Sequence, residues 1–204
     1  MRRELPTHEL SARESHKLLT ASVLPRPIAW VSTRSGDGID NLAPYSFFTA
    51  VSSNPPVLQF VSIGLKDTVR NIRETGEFVI CVATLDLMTQ VNATAEYTAP
   101  DVDEFALAGL AREPSAAVSP PRVAGSPVAF ECQLRSISEV GNGLVVLGDV
   151  VHVAVSEAVL GEDDLPLAER VGPVGRLGRN EWVGLGALRR LDLPRPRRRA
   201  QHAL

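Results

Sequence analysis

Lys66-Asp67-Thr68 is the stretch of this chain best suited to holding an anion. It opens a run through Asn71 that reads as a helix. A helix N-terminus offers N–H groups with no partner inside the helix, together with a partial positive charge. An ammonium and a hydroxyl beside such an end complete a cradle for phosphate. Lys66 is one of two lysines in a chain that otherwise uses arginine, which marks a compact ammonium as a specific choice there. The tripeptide also has a plainer account, in which Asp67 caps the helix and Lys66 points to water.

A second stretch, Asn41 to Phe48 (NLAPYSFF), mixes a backbone-restricting proline with hydroxyls and aromatics. The backbone groups of such a strand edge could meet the rim of a flat heterocycle, with aromatics covering part of a face. Phe47 and Phe48 can equally fill a core or an interface. Signatures of side-chain catalysis are missing: Gly-x-Ser-x-Gly, His-Glu-x-x-His, Cys-x-x-Cys and the Walker loop do not occur. The four histidines, His8, His16, His152 and His202, are scattered, with no metal-ligand spacing. Reactivity, if the chain has any, is expected to come from a bound organic cofactor.

The elements that must position these residues are mostly strands. Residues 27–33, 46–51, 57–63 and 77–84 are rich in β-branched and aromatic residues, separated by Ser, Asn, Gly and Pro. Residues 128–140 and 144–156 flank Gly141-Asn142-Gly143, a hairpin signal because both residue types tolerate positive φ. Helical spacing predicts a helix over 67–75 begun by Asp67 and ended by Gly76. A second is expected over 87–95, capped by Asp86, and a third over 102–108. Six or more strands without regular βαβ alternation predict a mainly β barrel with short helical insertions. No Gly-x-Gly-x-x-Gly joins a strand to a helix, so any dinucleotide must bind without a doubly wound sheet.

The chain has 204 residues, of which 44% are hydrophobic and 22% charged, as in an ordinary globular domain. Cys81 and Cys132 each lie within an apolar run and are expected as buried free thiols. The opening residues are polar, and no apolar run approaches the roughly 20 residues that span a bilayer. A cytoplasmic protein with no membrane contact is therefore expected. From Arg189 onward, six arginines against Asp192 give +5, which leaves −8 on residues 1–188 of the overall −3. The segment PRPRRRAQHAL reads as a disordered basic tail. The acidic body offers no basic surface to extend it, so no nucleic-acid partner is expected.

Read in order, these segments form a pattern. It comprises PRPIAWVST from Pro25 to Thr33, NLAPYSFF from Asn41 to Phe48, Asn54-Pro55-Pro56, KDTVRNI from Lys66 to Ile72, and Gly76-Glu77-Phe78. Asp103-Glu104-Phe105 with Ala108-Gly109-Leu110, then Glu131-Cys132 and Gly148-Asp149-Val150, continue it. Over roughly residues 18–188 the chain resembles the flavin reductase-like, FMN-binding split-barrel family. The resemblance makes residues 1–17 an N-terminal extension and 189–204 the tail. It implies a Greek-key split barrel that forms a homodimer, with flavin sites near the interface and Phe47, Phe48 and Phe60 in the region expected to contribute.

The resemblance also implies site residues. Ser32 and Thr33 would lie near the phosphate and ribityl chain, and Asn41, Ala43, Ser46 and Phe47 would border the flavin ring. Lys66, Asp67 and Thr68 would meet the phosphate, with Asn71 at the same end. Relatives often read Arg-x-Gly-Gly and then a tyrosine, where this chain has Arg176-Leu177-Gly178-Arg179-Asn180-Glu181-Trp182. Trp182 would replace that aromatic as a wall over the flavin or nicotinamide, and Arg179 adds charge at the mouth. His152 would contact nicotinamide, or be a strand histidine satisfied by a neighbour. The implied activity is hydride transfer from NADH or NADPH to FMN, which needs no acid–base pair, and a flavin-dependent monooxygenase is an implied partner. Alternatives are an FMN-dependent enzyme with another acceptor (a ferric complex, a quinone or a biosynthetic intermediate) and a flavin-binding protein without turnover.

Overall fold

A computed structural model describes residues 1–191. Seven strands make its main sheet: β1 (Ala29–Arg34), β2 (Asp40–Tyr45), β3 (Phe48–Ser53), β4 (Pro56–Ile63), β5 (Glu77–Val82), β6 (Val128–Val140) and β7 (Gly143–Val155). Their order across the sheet is β2-β1-β5-β6-β7-β4-β3, antiparallel at every step. The three hairpins β1–β2, β3–β4 and β6–β7 join by crossing connections, which gives the split barrel with helical insertions that the sequence predicts.

Period-two alternation explains why the strands pack as they do. Along β5, Phe78 and Ile80 enter one core while Val79 and Cys81 enter another, so a continuous apolar run serves both faces. The first core is the barrel interior, where Val31, Tyr45, Phe60, Ile80, Cys132 and Val146 meet Val69 and Ile72 of helix α2 (Asp67–Thr75). The second lies on the outer face, where Trp30, Leu42, Val79 and Cys81 pack under Val91 and Phe105 from helices α3 (Met88–Ala93) and α4 (Glu104–Leu107). These three follow the helix α1 (Ala12–Ser22) in chain order. The sheet curls until Tyr45 on β2 meets Phe60 on β4, ring centroids 4.8 Å apart. Those two strands exchange no ladder hydrogen bonds. The seam therefore closes through side chains, which is what splits the barrel.

Most strand expectations hold to within two residues. The hairpin tightens to Gly141-Asn142, with Gly141 at φ 59°. Helix α2 ends as expected on Gly76, whose φ of 73° suits a residue without Cβ. Three details differ. The segment 41–48 is two strands with a corner at Ser46-Phe47, because Pro44 and the sheet's curl end β2 at Tyr45. The N-cap of α2 is Lys66, which caps nothing with its side chain, while Asp67 sits in the first turn paired with Arg70. Helix α3 starts after Leu87 rather than on an Asp86 cap, whereas Asp103 does cap α4, accepting from the Phe105 and Ala106 N–H groups at 3.0 and 3.2 Å.

Helix α1 was not expected at all. Its start is a capping box: the Ser11 N–H donates to Glu14 Oε2 at 2.9 Å, and the Glu14 N–H to Ser11 Oγ at 3.3 Å. Ser-x-x-Glu was visible in the sequence, but no residue of the helix is buried, so no strong apolar period marked it. Phe60 is fully buried inside the barrel and cannot contribute to an interface between subunits, as the resemblance suggested. Both cysteines are buried free thiols. Among the described residues no helix is long and apolar enough to cross a membrane. The expected basic tail lies, from residue 192 on, outside the described residues.

Candidate functional site

Thr33, Asn41, Thr68 and Asn71 form one buried polar knot that pins the N-terminal end of α2 to the sheet. Asn41 Nδ2 donates to Thr33 Oγ1 at 3.2 Å and to Thr68 Oγ1 at 2.9 Å, and Asn71 Nδ2 donates to Thr33 Oγ1 at 3.1 Å. A satisfied network of this kind holds its members in one arrangement. Thr33 and Asn71, expected at the ligand, instead stand behind the wall and set its position. Ser32 lies on the opposite face. Its partners across the sheet, Leu42 and Val79, belong to the outer core, because neighbouring strand residues face opposite ways. It is fully buried and its hydroxyl has no partner, so the expected contact with phosphate is one this register does not offer.

In front of the knot runs a groove with two compartments that share Pro44, Tyr45, Lys66 and Ala95. The smaller, about 260 Å³, holds the start of α2 with Asn41, Ala43, Asp67 and Thr68. Three carboxylates line it: Glu96 is exposed to solvent, and the other two are engaged. Asp67 pairs with Arg70, and Glu104 accepts from the Leu42 N–H at 3.0 Å and the Thr98 hydroxyl at 2.8 Å. Lys66 is exposed, with its ammonium 5.8 Å from the Tyr45 ring centroid. Burial pushes the Tyr45 phenol up to about 12, so it stays a neutral wall between the compartments. Asn41, expected at the flavin ring, lines instead the compartment at the start of α2.

The larger compartment, about 440 Å³, opens at the β2–β3 corner and contains Ser46, Phe47, Arg179 and Trp182. Both volumes are of the order that ligand clefts occupy, a few hundred Å³. Its other walls come from residues that no local motif brought together: His16 and Thr20 of α1, Arg26, and Arg176. Arg26 is 5% exposed, and carbonyl oxygens hold its guanidinium: Nη2 donates to Leu177 O at 3.0 Å and Nη1 to Thr20 O. Its Nε faces Ser46 Oγ at 3.4 Å. The Arg176 guanidinium carbon stands 4.5 Å from the Trp182 ring centroid, a cation over an aromatic face. Burial pulls both guanidiniums below their usual range, and Arg176 adds to the effect on Arg26 by like-charge repulsion.

No carboxylate lines this larger compartment, although the protein is acidic overall. Among the described residues none pairs with Arg26, Arg176 or Arg179. The donor set suits a ligand that combines negative charge with a flat polar ring. The one sequence signal for Arg26 was its place among apolar residues, between two prolines at the head of a buried strand. His152 is elsewhere. It is exposed on β7, beside Val151 and Val153 in a shallow depression that shares no residue with the groove. Among the described residues no group of His, Cys, Asp or Glu is arranged to hold a metal.

Comparison with known proteins gives this geometry a context. A family model described as a flavin reductase like domain matches residues 21–171. An uncharacterised protein of Aquifex aeolicus is 38% identical over 88% of this chain and 94% of its own. Among solved structures, nitrilotriacetate monooxygenase component B from Bacillus cereus superposes with a TM-score of 0.88 at 30% identity, covering 94% of this chain and 99% of that one. The 2-nitrobenzoate 2-nitroreductase of Pseudomonas fluorescens does so with a TM-score of 0.86 at 28% identity, covering 97% and 100%.

Proposed function

The chain belongs to the flavin reductase-like family, and from that premise we propose that it binds FMN along the groove and passes hydride from NADH or NADPH to the flavin. The observation that carries this reading is the continuity of two unlike environments. A helix start flanked by Lys66 and Thr68 opens, past Tyr45, into an aromatic compartment lined with arginine and free of carboxylates. Lys66, the Thr68 hydroxyl and the first N–H groups of α2 would hold the phosphate. Ala43, Ser46 and Phe47 would border the ring along the end of β2 and its corner, and Trp182 with Arg176 would cover the far side. Bound flavin would supply a two-electron acceptor for the donor's hydride. The chain contributes orientation and a partly dry compartment, and no proton donor is required of it.

Purified protein should be yellow, or turn so with added FMN, and should oxidise NADH rapidly when FMN is in excess. A protein with no affinity for FMN in a fluorescence-quenching titration would refute the reading. The similarity to a monooxygenase component would go with reduced FMN handed to a monooxygenase partner. A second reading is favoured by the similarity to a nitroreductase: in it the flavin stays bound and serves another acceptor. Bleaching of bound flavin by NADH without turnover of free FMN would select it, and no bleaching would mean flavin binding alone. We further propose a homodimer. The exposed Val151 and Val153 beside His152 are the apolar surface that a second subunit would cover.

A further inference from the structure

Arg179 sits where the backbone asks for glycine. The Glu181 N–H donates to the Gly178 carbonyl at 3.1 Å, closing a turn whose two central residues are Arg179 and Asn180. Arg179 has φ 56°, in the left-handed region that favours glycine, while Asn180 does not share the positive sign. A residue with a Cβ is strained there. The neighbouring glycine was not free to vary, since a Cβ on Gly178 would come within 3.1 Å of Ala21 on α1. Nothing comparable asks for a side chain at 179. Arg179 is exposed and has no carboxylate partner among the described residues, so no ion pair offsets the strain. Its carbonyl, which any residue would supply, accepts from Arg176 Nη2 at 3.0 Å.

The side chain stands at the rim of the larger compartment, outside Arg176 and Trp182. A nicotinamide entering that compartment leaves its phosphates trailing toward the rim, because the ring must go in first. We propose that Arg179 recognises the phosphate groups of the dinucleotide donor and so selects charged donors, with Arg176 behind it completing the site. This rests on the nicotinamide-to-flavin reading above. Its position at the mouth favours a trailing phosphate over the carboxylate of an acceptor, which would lie deeper, near Arg26.

The test uses FMN-loaded protein. Titration with ADP-ribose, which carries the diphosphate but no nicotinamide, should give a dissociation constant about tenfold weaker for Arg179→Gly than for the unaltered protein, the loss expected of one charge-assisted contact. Arg179→Lys should fall between, keeping the charge but losing the fork. The glycine variant relieves the positive φ, so its Tm should be unchanged or higher by about 2–4 °C, which separates lost recognition from lost folding. The ratio of kcat/KM for NADH to that for uncharged 1-benzyl-1,4-dihydronicotinamide should drop by the same factor. ADP-ribose binding equal in the two proteins overturns the proposal, as does a loss confined to anionic aromatic acceptors. Failure to bind FMN at all would instead be failure of the underlying reading.

Discussion

Replacing Lys66 by alanine removes the ammonium at the start of α2 and little else. Lys66 is exposed, caps nothing with its side chain, and has no carboxylate partner among the described residues. Its ammonium stands 5.8 Å from the Tyr45 ring centroid, a contact worth about 0.5–1 kcal/mol at an exposed site. Folding stability should therefore change by less than about 1 kcal/mol. A charge-assisted contact to phosphate is worth about 1.5–3 kcal/mol, and solvent screening at an exposed group favours the lower end. That predicts about a tenfold loss of FMN affinity. Riboflavin lacks the phosphate and should bind the variant and the unaltered protein equally. Fluorescence-quenching titrations with both flavins, repeated at rising NaCl, measure the effect, and the difference between the two proteins should shrink as salt screens it. If the FMN-to-riboflavin affinity ratio does not move, the phosphate lies elsewhere and the placement of the groove's two ends is wrong.

Other consequences follow from buried groups. Glu131 is fully buried and accepts from the Ala116 and Ala117 N–H groups at 2.9 and 2.6 Å, with Arg122 at 3.5 Å. Glu131→Ala should cost about 3–5 kcal/mol, read as a lower denaturation midpoint in urea. Burial pushes the Cys81 and Cys132 thiols up to about 12. A raised pKa favours the protonated, folded form, so this stability is complete below the thiols' ordinary range and is lost as pH climbs toward 12; alkaline unfolding should show it. Neither thiol should react with a thiol reagent until the chain is denatured. If flavin binds near a subunit interface, sedimentation across a dilution series should show FMN tightening the dimer, and a monomer binding FMN at full strength would argue against that placement.

Local chemistry made much of the fold legible. The apolar run of β5, the Gly141-Asn142 turn and the stretch from Lys66 to Gly76 each state their conformation within a few residues, because period, positive φ and helix capping are short-range effects. The cluster of a lysine, a hydroxyl and a helix start at one end of the groove was legible for the same reason, since the three are neighbours in the chain. Of the larger compartment, Ser46, Phe47, Arg179 and Trp182 were expected, through the resemblance and not through local chemistry, while Arg26 was not. Arg26 and the carbonyl of Leu177 are 151 positions apart and meet only because Arg26–Pro27 pairs with Gly175–Arg176. Ser32 and Thr33 differ by one position and face opposite cores, a distinction that sheet register makes and residue type does not. His152 carries chemistry that would suit the site, yet its strand places it elsewhere. Residue types and spacing determined which elements form and which end could hold an anion. Sheet order and register, which depend on contacts between distant segments, decided which side chains share the compartment.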